Sequence, residues 1–334
     1  MKNKNVVVIG GGTGTYTVLS GLKPCPLTIS AIITMMDSGG SSGKLRDQYG
    51  VLPAGDVRQA LVALSESDML WRKLFLYRFS NGDFKGHNFG NLFLAVTETI
   101  GGNFQKALDM AQQLLRTKGK VIPVTFAKTD IQATLGDGTV LTGESLIDER
   151  VLHRPPILTL SLVNYAKANP LAVDAIKNAD SIVIGPGDVY TSLLPNFMFS
   201  ELVQEYKKSA AKKILIANLM NKTGQTDNFG LSEYVKVFSK YLGENPFTHI
   251  VINTGKISDE TRNYYKKYGE KEVVDDLPEE VTLIQKNRAN LLSDSVFNQT
   301  KGDSLERSII RHDPEKLAKV LLELFYDNEH TGKK

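Results

Sequence analysis

The chain has a single cysteine, Cys25, among 334 residues. That excludes an internal disulfide and any cysteine-based metal cluster, and it fits a reducing cytosol. Charge of one sign is also missing. The 40 Lys and Arg stand against 37 Asp and Glu, a net +3, and the basic residues are scattered. Nucleic-acid binding needs a concentrated positive face and is set aside, whereas a small anion needs only a few placed donors. No apolar run approaches the roughly 18 residues that span a bilayer. Met1-Lys2-Asn3-Lys4 leads straight into a strand-like run, without the apolar stretch of a signal peptide. The expectation is a soluble, cytoplasmic protein with no membrane span. Hydrophobic residues at 41% and charged residues at 23% exclude disorder and coiled coil.

What is plentiful is glycine, 28 residues, placed where β-branched runs end. Asn5-Val6-Val7-Val8-Ile9 runs into Gly10-Gly11-Gly12-Thr13-Gly14, and Val18, Leu19 and Leu22 follow at helical spacing. This reads as strand, glycine turn, helix. Residues 27–34 form a second run ending at Asp37, and residues 181–185, 213–218 and 249–253 repeat the style. Runs this continuous belong to a parallel sheet buried on both faces. Helical spacing recurs at Val57, Ala60, Leu61, Leu64 and at Phe104, Ala107, Leu108, Ala111.

Short runs around Gly136-Asp137-Gly138 read as a β-hairpin excursion over about residues 121–147. Val281-Thr282-Leu283-Ile284 reads as a weak strand. Asp313 as N-cap and Pro314 at the first helical position open a closing helix over 313–327. With no repeat and no linker, residues 1–327 read as one composite α/β nucleotide-binding domain.

Ligands of such folds sit beyond the carboxyl ends of strands, where glycine loops bring backbone N–H groups to phosphate oxygens. The Gly11, Gly12, Thr13, Gly14 loop is neither a full dinucleotide fingerprint nor a Walker loop, but its glycine density leaves room for a ligand. The loop around Asp37 brings Ser41, Ser42 and Lys44. Its carboxylate suits ribose hydroxyls or Mg²⁺. Next, Asp56 reads as a helix cap followed by Arg58, a cation opposed to the helix dipole unless an anion lies near. Gly185, Pro186, Gly187 and Asp188 end another strand, with Tyr190 and Thr191 crowding the turn.

Asn88 and Asn91 lie three apart and suit either a cap or a pair of amides facing one cleft. Asn218, Met220 and Asp227 mark a further strand end. Arg311 precedes the closing helix, where a guanidinium suits a phosphate. For catalysis the inventory is thin: no His pair has metal-ligand spacing, no G-x-S-x-G elbow occurs, and Cys25 has no nearby base. No catalytic residue and no resident metal site are assigned. Tyr264, Tyr265 and Tyr268 read as core or scattered surface aromatics, with an interface of a homodimer as the less common alternative.

In this order, the loops at residues 10–14, 37–46, 52–58, 86–91, 184–191, 218–220 and 311–313 resemble the YvcK-type gluconeogenesis factor family over nearly the whole chain. That family is related to the 2-phospho-lactate transferases. The resemblance implies a three-layer Rossmann-like core. It also implies a cytoplasmic regulator of cell shape and wall integrity on gluconeogenic carbon sources, which binds UDP-sugars such as UDP-N-acetylglucosamine and brings no established reaction. Ser38 stands where members often carry an acid. Pro314 replaces a hydroxyl, which removes a phosphorylation point beside Arg311.

The main reading is a nucleotide-sugar-binding regulator with an unidentified protein partner. The alternative is a transferase of phosphorus-containing groups, in which Asp37 with Asp56 or Asp188 holds Mg²⁺ and a nucleotide-activated phosphorylated acid is the substrate. A third reading is an NAD-like dinucleotide in the first βαβ unit. Sequence leaves open the base and sugar bound, whether the ligand is substrate or signal, and the oligomeric state.

Overall fold

The β-branched runs at residues 5–9, 27–34, 181–185, 213–218 and 249–253 become strands of one sheet in the computed structural model, which describes residues 3–278, 283–293 and 309–327. The chain opens β1 (Lys4–Gly10), α1 (Gly12–Leu22), β2 (Leu27–Ile33). It then makes five helices before returning: α2 (Gly40–Tyr49), α3 (Gly55–Leu64), α4 (Met69–Leu76), α5 (Phe89–Gly101) and α6 (Phe104–Leu115). β3 (Lys120–Pro123) closes that half, and β4 (Ile131–Leu135), β5 (Val140–Thr142), α7 (Glu144–Asp148) and β6 (Ile157–Leu162) form a side structure. The second half runs α8 (Pro170–Lys177), β7 (Ser181–Ile184), a π-helical turn (Val189–Leu193), α9 (Ser200–Lys208) and β8 (Lys212–Ile216). It finishes with α10 (Leu231–Leu242), β9 (His249–Asn253), α11 (Asp259–Lys266), β10 (Gln285–Ala289) and α12 (Pro314–Tyr326).

The seven-stranded sheet has the order β10-β9-β8-β7-β1-β2-β3, and every pairing in it is parallel. Alternation along β1 sends Val7 and Ile9 into one core and Val6 and Val8 into the other. On the first side Ile176, Leu202, Tyr206 and Phe238 cover the sheet together with Ile131 and Leu160 of the small sheet. On the second, Leu19, Leu61, Leu108 and Leu321 do so. Each such side chain contributes about 1.5–3 kcal/mol by leaving water. Three layers result, as the α/β pattern requires.

The excursion differs from the expectation of 121–147. Residues 120–123 form β3 at the edge of the main sheet, paired with β2, because Val121 and Ile122 are buried like a sheet strand. The side structure begins later and ends at β6, which pairs antiparallel with β4 to make a three-stranded sheet, β5-β4-β6. Val281 and Thr282 lie outside the described residues, and the strand forms at Gln285–Ala289. Asp313 caps α12, its Oδ1 accepting from the Glu315 and Lys316 amides at 3.0 and 2.9 Å. Tyr265 is buried at 1% exposure, a core position and not an interface one. Among the described residues, no helix is long and apolar enough to cross a membrane.

Candidate functional site

β1 lies between β7 and β2, so the strand order reverses there and a crevice opens beyond the carboxyl ends of β1 and β7. Two glycines set its floor. A Cβ on Gly14 would lie 2.0 Å from the Pro186 carbonyl oxygen, so α1 can approach the Gly185-Pro186-Gly187 loop only without one. A Cβ on Gly11 would lie 2.3 Å from Asp56 Oδ2. The missing side chain is a seat for that carboxylate.

Asp56 was expected to cap α3, but Ala54 holds the cap position. The Asp56 carboxylate turns instead to β1 and accepts from the backbone N–H of Gly12. The protein's own carboxylate thereby occupies a donor at the start of α1 that the sequence reading offered to a phosphate. Gly187 is engaged similarly: its N–H donates to Asn218 Oδ1 at 3.0 Å, and Asn218 Nδ2 donates to its carbonyl at 2.9 Å.

Asp37, at the β2 end, accepts from the Gly39 amide at 3.0 Å and from the Ser42 hydroxyl. Ser42 Oγ in turn accepts from Asn91 Nδ2 at 3.1 Å, and Asn91 Oδ1 accepts from Arg58 Nε at 2.9 Å. This relay ties α2, α3 and α5 behind the crevice. Arg58 is 7% exposed and also donates to the Phe75 carbonyl at 3.3 Å, so it supports the crevice from within the protein. Asn88 caps α5, accepting from the Asn91 amide at 3.2 Å. Ser41 Oγ accepts from the Asn88 amide at 3.2 Å and lies 3.3 Å from His87 Nδ1. Lys44 is exposed, close enough to His87 to lower its proton affinity after burial has done most.

On the β7 side, Lys222 donates to Asp188 Oδ2 at 2.7 Å and to Asp148 Oδ1. Asp148 also accepts from Gln225 Nε2 at 2.9 Å and from Thr191 Oγ1 at 3.3 Å. Tyr190 is a core residue, with its hydroxyl toward the Ile157 carbonyl at 3.4 Å. Met220 bridges to Glu272, and exposed Asp227 accepts from the Gly224 amide at 2.8 Å. Thr13 is half-buried, its carbonyl accepting from Thr17 Oγ1 at 3.1 Å.

The crevice is strongly acidic. Burial, then Asp37, pushes Asp56 up to about 7. Burial, then Asp37 and Asp148, pushes Glu144 up to about 9. Asp148 rises to about 6 through burial and Asp188, against the pull of Lys222. Opposite charges hold Lys222 above the ordinary amine range in spite of its burial. Glu144, Asp148 and Lys222 were not singled out from the sequence. Neither α7 carboxylate stands at a strand end, and no local pattern announces their return to the crevice.

Among the described residues, no group of three or more His, Cys, Asp or Glu side chains is arranged to hold a metal ion. Lys222 already stands between Asp148 and Asp188.

Beside the crevice, a cavity of about 290 Å³ lies beyond β8 and β9. Asn218, Asn253, Thr254, Lys256, Arg262 and Glu272 supply its polar wall. Arg262 is ion-paired with Asp259 and Glu272, while Lys256 is exposed. Arg311 is not on this wall; its carbonyl accepts from Ser293 at 3.1 Å. The adjacent His312 binds the Ala217 backbone, and burial pushes it down to about 4.

A doubly wound parallel sheet covered by helices on both faces defines an α/β protein of the Rossmann-like type. The chain belongs to the CofD family: the family model described as 2-phospho-L-lactate transferase CofD matches residues 6–294. It is similar to the gluconeogenesis factor of Bacillus subtilis, at 35% identity over 321 residues, covering 96% of this chain and 97% of that one. The gluconeogenesis factor of Listeria monocytogenes is 36% identical over 321 residues, covering 95% of this chain and 94% of that one. Among solved structures, protein BH3568 of Bacillus halodurans superposes with a TM-score of 0.87 at 36% identity, covering 96% of this chain and 100% of that one.

Proposed function

We propose that this chain is a cytoplasmic nucleotide-sugar-binding regulator of the gluconeogenesis-factor type. Its ligand is a UDP-sugar such as UDP-N-acetylglucosamine, and its output is cell morphogenesis and wall integrity on gluconeogenic carbon. The reading is carried by the cavity beyond β8 and β9, which Asn218 joins to the switch-point loop. At about 290 Å³ it stands at the small end of ligand sites, which run from about 300 Å³ upward. It suits a nucleoside, with diphosphate and sugar extending outward.

Asn253 braces the wall through its bonds to Gly255 and Leu291, the Thr254 hydroxyl offers a partner to base or ribose, and the Lys256 ammonium stands at the rim for phosphate. The acids of the crevice repel a bare diphosphate, which favours the β8 side for its negative charge. Signalling then passes to a protein partner, and the regulator works as a homodimer.

Calorimetric titration with UDP-N-acetylglucosamine tests this. Heat of binding is expected for the wild type and a loss of about tenfold in affinity for Lys256→Ala. Absence of heat with the wild type rejects the reading.

A transferase acting on a nucleotide-activated phosphorylated acid is the second reading, favoured by the family model's description and by Asp37 and Asp56 at the crevice. Release of free nucleotide on incubation with such a donor and an acceptor would move the assignment to it. Stoichiometric binding without release keeps the regulator.

A further inference from the structure

Helix α4 lies almost uncovered on the surface. It has eight residues, and among them only Phe75 is buried. Helices shorter than about 12–15 residues are marginal in water by themselves, so a folded chain holds them by burying a face. Phe75 supplies that contact on the inner side, against the rings of Phe89 and Phe93 at 6.3 and 5.2 Å. The outer side is apolar as well. Met69 and Leu70 are about two-thirds exposed, and Leu76 and Tyr77 about half. The pairs 69 with 76 and 70 with 77 are seven apart with Lys73 between, so all share one face.

That face continues in both directions. At the end of α4, the rings of Tyr77, Phe79 and exposed Phe84 touch in series, with centroids 5.1 and 5.4 Å apart. On α5, Val96 and Ile100 follow Phe93 at i+3 and i+7, on the stripe that begins at the Phe75 contact. Ile100 is 83% exposed. With Trp71, one turn before Phe75, these side chains leave on the order of 900 Å² uncovered. The largest patch of an ordinary monomer is about 300–600 Å², and each partner of a standard interface gives about 800 Å².

We infer that two copies of the chain meet at this face, α4 of one lying antiparallel to α4 of the other across a two-fold axis. Charge selects that occupant. Exposed Glu66 and Asp68 stand just before α4, and Lys73 lies in its last turn. An antiparallel pair therefore sets the acidic end of each helix beside the basic end of the other, with their dipoles opposed. A surface for an anionic membrane or a strongly acidic partner would be uniformly basic. Here Glu66, Asp68 and Asp83 offset Lys73, Lys85 and the half-buried Arg72 and Arg78. The inference rests on the regulator reading for the homodimer alone and on none of its ligand chemistry.

Sedimentation of the full chain and its variants tests this, with thermal unfolding to confirm that each variant is folded. The wild type is expected to be a dimer at micromolar concentration. Leu70→Asp and, independently, Ile100→Glu place a charge on side chains that the single chain leaves in water. Each is expected to raise the dissociation constant about thirtyfold or more. Tyr165→Asp, at an 80% exposed side chain outside this face, is expected to leave the dimer intact. Lys73→Glu alone is expected to weaken association about fivefold, and Asp68→Lys combined with it to recover association.

A wild type that stays monomeric up to its solubility limit overturns the proposal. So does a dimer that Leu70→Asp and Ile100→Glu leave intact, or one that Tyr165→Asp dissolves. A double variant as weak as Lys73→Glu overturns the antiparallel arrangement. Monomeric wild type that sediments with anionic phospholipid vesicles assigns the face to a membrane and likewise overturns self-association. Calorimetry with UDP-N-acetylglucosamine separates surface from ligand. A dimer that depends on Leu70 but binds no UDP-N-acetylglucosamine supports the surface and rejects the ligand, and a monomer that binds it does the reverse.

Discussion

Lys222 Nζ lies 2.7 Å from Asp188 Oδ2, and the same ammonium donates to Asp148, so one cation joins the switch-point loop to α7. Its side chain is 18% exposed, against 35% for Asp188 and 34% for Asp148. Removing it leaves two facing carboxylates, at a cost reduced by their contact with water. Lys222→Met is expected to destabilise the fold by about 1–3 kcal/mol, below the range for a fully buried pair. Adding Asp148→Asn is expected to restore part of that loss. Urea unfolding of the single and double variants measures both, and additive losses would show that the three groups act independently.

The acids make stability depend on pH in a definite direction. Glu144 is pushed up to about 9, whereas an unfolded glutamate titrates near about 4.3. Between these values the folded chain holds a proton that the unfolded chain has lost, so stability from this group is present at low pH and declines as pH rises through that window. Asp56, pushed up to about 7, adds a decline from about 4 to about 7 by the same sign. Glu144→Gln keeps a neutral group throughout. Its urea midpoint is expected to match the wild type near about pH 5 and to exceed it near about pH 8. Equal midpoints at both would show that Glu144 ionises normally.

Much of this crevice was legible because its signals are local. A β-branched run followed by glycine places Gly14, Asp37 and Asn218 at strand ends without knowledge of the rest. The amide pair Asn88 and Asn91 likewise follows from spacing alone, although whether it caps a helix or faces a ligand does not. What stayed hidden is long-range. Asp56 leaves the cap of α3 because Gly11, at the turn between β1 and α1, lacks a Cβ and leaves it room. Glu144 and Asp148 enter because a three-stranded side sheet folds back over the crevice, and their nearest partners are distant in sequence: Asp148 and Lys222 are 74 residues apart. The edge strand β3 was absorbed into the excursion because Val121 and Ile122 suit either sheet. Only the register with β2 decides.

Gly14 is expected to tolerate no side chain. A Cβ there would lie 2.0 Å from a backbone oxygen, that of Pro186, so one of the two loops must retreat. Gly14→Ala is expected to cost about 1–3 kcal/mol, the usual penalty for overpacking, and to weaken UDP-N-acetylglucosamine binding by moving the Gly187 loop. Gly12→Ala is the control. A Cβ at Gly12 meets nothing nearer than Ser192 Oγ at 3.9 Å, so its cost comes from the left-handed backbone alone, about 1 kcal/mol. Thermal unfolding and calorimetry on the pair separate collision from conformation.

Asn218 offers the sharpest separation of scaffold from ligand, because one side chain both holds the Gly187 peptide and lines the cavity. Asn218→Ala deletes an acceptor and a donor from a half-buried pair, at about 1–2 kcal/mol. With the loop loosened, affinity for UDP-N-acetylglucosamine is expected to fall about tenfold. Asn218→Asp keeps the acceptor for the Gly187 N–H but gives up the donor, and it sets a carboxylate beside the proposed diphosphate. Its stability is therefore expected between wild type and alanine, while its affinity falls below that of alanine. Matched losses of stability and affinity across both variants would mean that Asn218 acts on binding only through the fold. The reversed order for aspartate requires a negatively charged ligand at this wall.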